Sequence, residues 1–141
     1  QCKRLFLAKA QRTQRFVDEN ELSRIVVDDC FKIHKMLGPG LLESVYEEVL
    51  FYELRKYDLA CERQVNLPVF YESLKMDIGF RADIIVENKI IVELKSVETV
   101  IPVHKKQLLT YLKLSGMKLG LLVNFNTELI KDGITRVVNG L

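Results

Sequence analysis

The chain has 141 residues, of which 48% are hydrophobic and 28% charged, and its formal net charge at pH 7 is +2. These values are typical of one ordinary globular domain, and they exclude a fibrous or low-complexity protein. A net charge this small does not by itself argue for nucleic-acid binding, so the placement of individual charges must decide.

Three cysteines, Cys2, Cys30 and Cys61, are widely spaced and form no Cys-x-x-Cys pair. This spacing predicts free thiols in a reducing compartment, the cytoplasm, and argues against a zinc site. No apolar segment is long enough to span a bilayer, so we expect no membrane partner. We divide the chain into a basic N-terminal extension, residues 1–20, to which we assign no function, and a single domain, residues 21–141.

Two helices are predicted before the first strand. Asn20 is placed to cap a helix whose apolar residues recur at intervals of three and four from Leu22 to Leu37. Gly38-Pro39-Gly40 ends this helix, because glycine and proline cannot continue it. A second helix is expected from about Leu42 to Lys56, with an apolar arc along one side.

The rest of the domain predicts strands joined by one helix. Three extended, β-rich segments would form an antiparallel meander: residues 62–71, 76–86 and 90–97. Pro102 suits the first turn of a helix that reaches Ser115, and the apolar run Leu119–Phe125 suits a strand covered on both faces. Because strand, helix and strand form a crossover unit, Leu119–Phe125 should lie parallel to the strand of Glu93. The tail, 129–138, should form a short hairpin or an edge strand.

Two acidic residues fall inside these apolar strands. In the strand 78–86, side-chain alternation predicts an apolar set that faces the core: Phe80, Ala82, Ile84 and Val86. The same alternation predicts two groups on the other side of the sheet: Arg81, Asp83 and Ile85 from one strand, and Ile91, Glu93 and Lys95 from the next. Both acids would then share one sheet face with a lysine.

The hairpin between these strands decides whether the two acids meet. If Glu87-Asn88-Lys89 is a three-residue loop, with Asn88 or Lys89 in the left-handed region, Val86 pairs with Ile90. Asp83 then stands opposite Glu93, whereas a two-residue turn would put them on opposite faces. Burying ionised carboxylates costs several kcal/mol unless a metal or partner compensates them. The pair therefore favours a divalent-metal site, although a Glu-x-Lys triplet alone is common and carries little information.

Two helices carry further candidate residues. Steps of 100° place Glu43 within or at the edge of the apolar arc of the second helix, facing protein rather than open water, and Glu47, one turn along, is a reserve candidate. On the third helix, His104, Gln107 and Tyr111 form a polar ridge at spacings of three and four. Glu43 and His104 each have a simpler explanation, because an acid favours a helix start and a lone histidine is more often a surface residue.

The order and spacing of these elements and residues resemble those of the PD-(D/E)XK nuclease superfamily, whose core is helix, three-stranded meander, helix and strand. More narrowly, Gly40-Leu41-Leu42-Glu43-Ser44-Val45-Tyr46 is similar to the signature of the GxxExxY proteins, a bacterial branch of that superfamily. The resemblance extends over residues 21–141 and implies an α/β, restriction-endonuclease-like core with a mixed sheet flanked by helices. The chain departs from the pattern at Ala82, where the superfamily often has a proline.

The resemblance also implies roles for individual residues and a reaction. Asp83, Glu93 and the Leu94 carbonyl would be metal ligands, and Lys95 the catalytic lysine. Glu43 would be the helix acid, while Gln107 and Tyr111 match a Gln-x-x-x-Tyr motif of the exonuclease-type branch. Hard oxygen ligands favour Mg²⁺ or Mn²⁺ over zinc. The expected reaction is metal-dependent phosphodiester hydrolysis, with DNA favoured over RNA by superfamily habit.

Two other classes of function stay open on the sequence. Fold does not fix function, so the domain could be a nucleic-acid-binding module of the same fold without turnover. It could also be a protein-interaction domain in which Asp83, Glu93 and Lys95 form a buried ion-pair network. The substrate, the choice between internal and terminal cleavage, and the choice between monomer and homodimer are also left open.

Overall fold

A computed structural model describes residues 16–141. The predictions for Cys2 and for the basic residues up to Arg15 lie outside this part. The helices are α1 (Glu19–Leu37), α2 (Glu43–Arg55), α3 (Pro102–Ser115) and α4 (Ile130–Gly133). The strands are β1 (Cys61–Tyr71), β2 (Leu74–Val86), β3 (Ile90–Lys95), β4 (Leu119–Asn124) and β5 (Ile134–Val138). Within residues 16–141, no helix is long and apolar enough to cross a membrane, and Cys30 and Cys61 are free thiols.

The five strands form one mixed sheet in sequence order, β1-β2-β3-β4-β5. β1, β2 and β3 form the predicted antiparallel meander, and β4 lies parallel to β3 after the crossover helix α3. β5 pairs antiparallel with β4 at the edge of the sheet. The predicted α/β, restriction-endonuclease-like architecture is therefore confirmed, and the tail forms the edge strand, preceded by the short helix α4, rather than a hairpin.

Both faces of the sheet are covered, which corrects the predicted assignment of one core face. On one face, α1 and α2 pack over Ile84 and Val86, with Leu50 of α2 fully buried. On the other face, α3 packs over Phe80, Ala82 and Ile85. Strict alternation fails between Ala82 and Ile84, which lie in clusters on opposite faces; at this point the ladder of β1 and β2 omits the pair of Gln64 and Asp83, and Gln64 has a left-handed φ of +50°. A sequence pattern with period two cannot reveal such an irregularity.

The start of α1 differs from the prediction by two residues. Asp18, rather than Asn20, is the N-cap, and its side chain accepts a hydrogen bond from the Glu21 N–H at 2.8 Å. Both residue types are good N-caps, so composition alone could not separate them. Asn20 instead accepts a hydrogen bond from Arg136 on the edge strand β5.

The β2–β3 hairpin has the three-residue loop that the prediction required. Val86 pairs with Ile90, and the Lys89 N–H donates to the Val86 carbonyl at 3.0 Å. The left-handed residues of this loop are Glu87 and Asn88, with φ of +54° and +51°. This register brings the segment of Asp83 up to the segment of Glu93.

Candidate active site

An open cleft of about 650 Å³ lies where the N-terminal end of α2 approaches β1, β2 and β3. Six of the residues that line it bear on its chemistry: Glu43, Glu47, Gln64, Asp83, Leu94 and Ser96. Three of the six are acids, which come from α2 and β2. The cleft therefore concentrates negative charge and polar atoms at one end of the sheet.

The side chains of Asp83 and Glu93 each accept a hydrogen bond from the backbone of the opposite strand where β2 and β3 separate. The last regular pair of this ladder is Ile84 with Val92. Beyond it, Asp83 Oδ2 accepts from the Leu94 N–H at 2.9 Å, and Glu93 Oε1 accepts from the Asp83 N–H at 3.4 Å. The two side chains thus satisfy backbone groups that the diverging strands leave without ladder partners. This arrangement holds the two acids together.

Glu93 is in an environment that disfavours its charged form. Only 9% of its surface is exposed, and Asp83 is its nearest acidic neighbour. Burial, followed by the negative charge of Asp83, raises the pKa of Glu93 to about 9, while Lys95 acts in the opposite direction. Two adjacent carboxyl groups cannot both ionise without a compensating charge. A cation between them would supply that charge.

Leu94 and Lys95 follow Glu93 at the end of β3. The Leu94 backbone lines the cleft, and its N–H is held by Asp83. Lys95 is partly exposed, and its carbonyl accepts a hydrogen bond from the Phe125 N–H at 3.0 Å, which fixes the end of β3 against β4. Its charge lies close enough to Glu93 to oppose the upward shift in the pKa of that residue.

Glu43 borders the cleft but does not face protein as predicted. It is exposed, because α2 begins at this residue and its first turn projects beyond the core. Its carboxylate accepts from the Ser96 N–H at 3.2 Å, just after β3. Tyr46 holds the preceding loop by donating to the Gly38 carbonyl at 2.6 Å and stacking on Phe125. The Gly-x-x-Glu-x-x-Tyr segment therefore ties the start of α2 to the end of β3.

Glu47 is the acid of α2 that lies deepest in the cleft. It is 8% exposed and accepts a hydrogen bond from Gln64 of β1. Gln64 also donates to Asp83 Oδ1 at 3.3 Å, so one amide connects an acid of α2 with an acid of β2. The sequence placed Glu47 only in reserve, although it shares the arc of Glu43. Gln64 carried no signal that could single it out.

The polar residues of α3 take different positions. Tyr111 stacks on Phe80 with a centroid distance of 4.0 Å, and burial and the charge of Glu93 raise the pKa of its hydroxyl. Gln107 is exposed and hydrogen-bonds to Tyr111. His104 Nδ1 accepts from the Ile101 N–H at 3.3 Å and so caps the start of α3. Tyr111 therefore lies near Glu93 and Gln107 contacts Tyr111, whereas His104 stabilises its own helix.

The donor atoms of this site suit a hard divalent cation. Carboxylate oxygens of Asp83 and Glu93 and the carbonyl of Leu94 are the ligands that Mg²⁺ and Mn²⁺ prefer. Within residues 16–141, there is no group of three or more His, Cys, Asp or Glu side chains arranged to hold a metal. The structure fits a site of two acids completed by backbone oxygen and water rather than a soft, closed zinc site.

Comparison with known proteins gives a family match. A family model of the PD-(D/E)XK nuclease superfamily matches residues 20–137, which includes every candidate residue of the cleft. Neither the curated proteins nor the solved structures gave a significant match. Because the family model matches most of the chain, this protein belongs to the PD-(D/E)XK nuclease superfamily.

Proposed function

We propose that the protein is a metal-dependent nuclease that hydrolyses phosphodiester bonds, with DNA as its substrate. Asp83, Glu93 and the Leu94 carbonyl would hold Mg²⁺ or Mn²⁺, and Lys95 would act on the scissile phosphate. The observation that carries this proposal is the pair of acids at the β2–β3 fork. Each accepts a backbone hydrogen bond from the other strand, and burial keeps Glu93 from ionising without a positive charge beside it.

The residues present suit each part of this chemistry. When bound, the metal would acidify a water molecule and neutralise charge on the phosphate. The ammonium group of Lys95 would stabilise the negative charge that develops on the phosphate oxygens. The Tyr111 hydroxyl, positioned by its stack on Phe80 and by Gln107, would orient the substrate or the attacking water. Glu43 would fix the end of β3 through Ser96.

Three finer assignments accompany the proposal. The Gly-x-x-Glu-x-x-Tyr segment supports placement in the GxxExxY branch, because Gly40, Glu43 and Tyr46 all lie at the junction of α2 with the cleft. The free thiols of Cys30 and Cys61 support a cytoplasmic location. We assign DNA rather than RNA because DNA is the usual substrate in the superfamily. The choice between monomer and homodimer is a matter for solution measurement.

The proposed function is tested by a cleavage screen. Labelled single-stranded, double-stranded and branched DNA, together with RNA, would be incubated with the protein and either Mg²⁺ or Mn²⁺. We expect metal-dependent cleavage of at least one DNA form, lost in Asp83→Asn and retained in Glu53→Gln, whose acid lies on α2 away from the cleft. Salt-sensitive DNA binding without cleavage would favour a silent binding module. Neither binding nor cleavage would favour a protein-interaction domain.

A further inference from the structure

Gln64 has an unusual backbone conformation at the edge of the cleft. Its φ is +50°, in the left-handed region that residues with a Cβ rarely adopt, and it lies within the edge strand β1. Its neighbours Arg63 and Val65 pair with Ile84 and Ala82, so Gln64 stands opposite Asp83. A left-handed conformation is strained for a glutamine inside a strand. The contacts of its side chain must therefore compensate.

Those contacts join two acids of the cleft. Gln64 Nε2 donates to Glu47 Oε1, and the same nitrogen donates to Asp83 Oδ1 at 3.3 Å. Carboxylates only accept hydrogen bonds, so the amide nitrogen, with its two N–H groups, is the end of the carboxamide that must face them. The amide thus occupies the space between two negative charges where a cation would bind most strongly.

The charge of Glu47 has little other compensation. This side chain is 8% exposed, and the nearest positive group is Arg63, whose Nε lies 3.8 Å from Oε2. Arg63 is engaged more closely by Glu48, with Nη1 2.9 Å from its carboxylate. A neutral amide shared with Asp83 is a weaker partner for a buried carboxylate than a cation. Glu47 and Asp83 therefore form a second place where positive charge is missing.

A carboxamide beside two carboxylates can act in two ways. Its nitrogen donates hydrogen bonds, and its oxygen is a hard ligand for Mg²⁺ or Mn²⁺. Turning the terminal torsion of glutamine exchanges these two ends, and rotation about that bond has no sharp preferred wells. Gln64 is exposed at the mouth of the cleft, so surrounding side chains leave its carboxamide room to turn.

We propose that Gln64 responds to the metal: its amide nitrogen holds Glu47 and Asp83 together in the metal-free protein, and its side-chain oxygen turns toward the bound cation. Glu47, released from the amide, then faces the cation as a further acidic partner. This inference rests on the proposed function, because it requires a divalent cation at Asp83. It adds β1 and the second turn of α2 to a site otherwise built from β2 and β3.

The most direct test follows the side-chain amide of Gln64 by ¹H–¹⁵N NMR during titration with MgCl₂. Its pair of signals is identified by its disappearance in Gln64→Leu. We expect both amide proton signals to shift on saturation, because the protons lose their carboxylate acceptors and the oxygen of the same amide gains the cation. Signals that stay in place while Mg²⁺ saturates the protein would overturn the proposal.

Substitutions give an independent test through Mn²⁺ affinity, measured by the electron paramagnetic resonance signal of free Mn²⁺. We expect Gln64→Leu, which lacks both amide ends, to weaken binding about tenfold or more. Gln64→Glu keeps an oxygen at this place but removes the N–H donor, so its Tm without metal should fall and Mn²⁺ should restore it. The matched control is Asn66→Leu, an amide of the same strand that contacts Arg81. Its affinity should stay at the wild-type value.

These outcomes distinguish a failure of the role proposed for Gln64 from a failure of the proposed nuclease function. If Gln64→Leu and Gln64→Glu bind Mn²⁺ as the wild type does, while Asp83→Asn does not bind it, the role of Gln64 is wrong and the nuclease site stands. If Gln64→Leu fails to fold, a Gln64→Glu protein that Mn²⁺ does not stabilise still overturns the role of Gln64. A wild-type protein that binds no Mn²⁺ contradicts it as well, and the cleavage screen then judges the nuclease function separately.

Discussion

Two clusters of acidic residues in this protein differ in the positive side chains that lie beside them. The helix-pair cluster lies between α1 and α2 and consists of Asp29, Lys32, Glu53, Lys56 and Tyr57. There, Glu53 accepts from Lys32 at 3.0 Å and from Lys56 at 3.1 Å, and these lysines lower the pKa of its carboxyl. Burial and the nearby Glu53 raise the pKa of Asp29 only to about 6. Two lysines thus pair with Glu53, and the charge of Lys32 also acts on Asp29.

The cleft cluster consists of Glu47, Gln64, Asp83, Glu93 and Lys95, and it lacks this balance. Its three acids face one lysine and the more distant Arg63, whose Nε lies 3.8 Å from Glu47 Oε2, and the amide of Gln64 connects two of the acids. The pKa of Glu93 rises to about 9, well beyond that of Asp29. A cluster that serves only stability is expected to supply its own counter-charges. The difference supports the proposed cation site over a purely structural ion-pair network.

The largest expected effect is on catalysis. Asp83→Asn keeps the size of the side chain but removes the charge that would hold the cation, so we expect DNA cleavage to fall by at least about 100-fold. Glu53→Gln, the matched change in the helix-pair cluster, should leave cleavage unaltered. Initial rates on the best substrate of the screen would measure both. Equal losses in the two variants would remove the distinction between the clusters.

Lys95 should separate chemistry from metal binding. Lys95→Met retains the length of the side chain and removes its charge, so we expect cleavage to fall about 100-fold through lost stabilisation of the transition state. Mn²⁺ affinity, measured by isothermal titration calorimetry, should stay within a few-fold of the wild type. A parallel collapse of metal affinity would show that Lys95 shapes the metal site instead.

The pH dependence of the metal-free protein should reveal the unbalanced charge. The pKa of Glu93 is about 9 in the folded state and 4.5 in its ordinary state. Between these values the folded protein holds a proton that the unfolded chain releases, so Glu93 does not affect stability below pH 4.5 and lowers it progressively up to pH 9. We therefore expect Glu93→Gln to raise the free energy of unfolding at pH 8 by on the order of 3 kcal/mol and to have little effect at pH 4.5. Urea denaturation at both pH values is the measurement. A variant less stable than the wild type at pH 8 would contradict the account.

Metal affinity should also depend on the ionisation of Glu93, but it should rise with pH where the stability of the metal-free protein falls. Binding requires an ionised Glu93, so the Mn²⁺ affinity should rise about tenfold per pH unit between pH 7 and pH 9 and level off above. Titrations in metal-free buffers at three pH values would show this slope. An affinity independent of pH over that range would mean that Glu93 is not a ligand.

The smallest expected effect belongs to Tyr111. Tyr111→Phe retains the stack on Phe80 and removes only the hydroxyl, so we expect about a tenfold loss of cleavage and an unaltered Tm. Gln107→Ala should have an effect of the same sign and smaller size, because Gln107 acts through Tyr111. Thermal melting and initial rates would be compared on the same preparations. A fall in Tm for Tyr111→Phe would assign the hydroxyl to the fold.

Sequence patterns predicted the frame of the fold well. The three-residue loop after Val86, the meander and the parallel strand β4 all follow from apolar periodicity and chain connectivity, and the structure has each of them. These features depend on neighbours close in sequence. Alternation along β2 failed after Ala82, because Ile84 lies on the opposite face from Ala82 where the ladder with β1 omits the pair of Gln64 and Asp83.

The cleft was predicted only in part, for a physical reason. Asp83 and Glu93 are ten residues apart on paired strands, so their proximity can be read from one hairpin. Glu47 and Gln64 meet through the packing of α2 against β1, which no local period specifies. The left-handed φ of Gln64 gives no signal either, because glutamine is not a residue that usually adopts it. Helical periodicity also misjudged Glu43, since it ignores where a helix leaves the core.

One measurement tests the central claim most directly: the change in Tm that 1 mM MnCl₂ produces at pH 8 in the wild type, Asp83→Asn and Glu53→Gln. If the cleft cluster awaits an external cation, Mn²⁺ should raise Tm equally in the wild type and in Glu53→Gln and should have no effect on Asp83→Asn. EDTA should reverse the increase. A wild type whose Tm does not respond to Mn²⁺, or an Asp83→Asn protein that responds as the wild type does, would contradict the account.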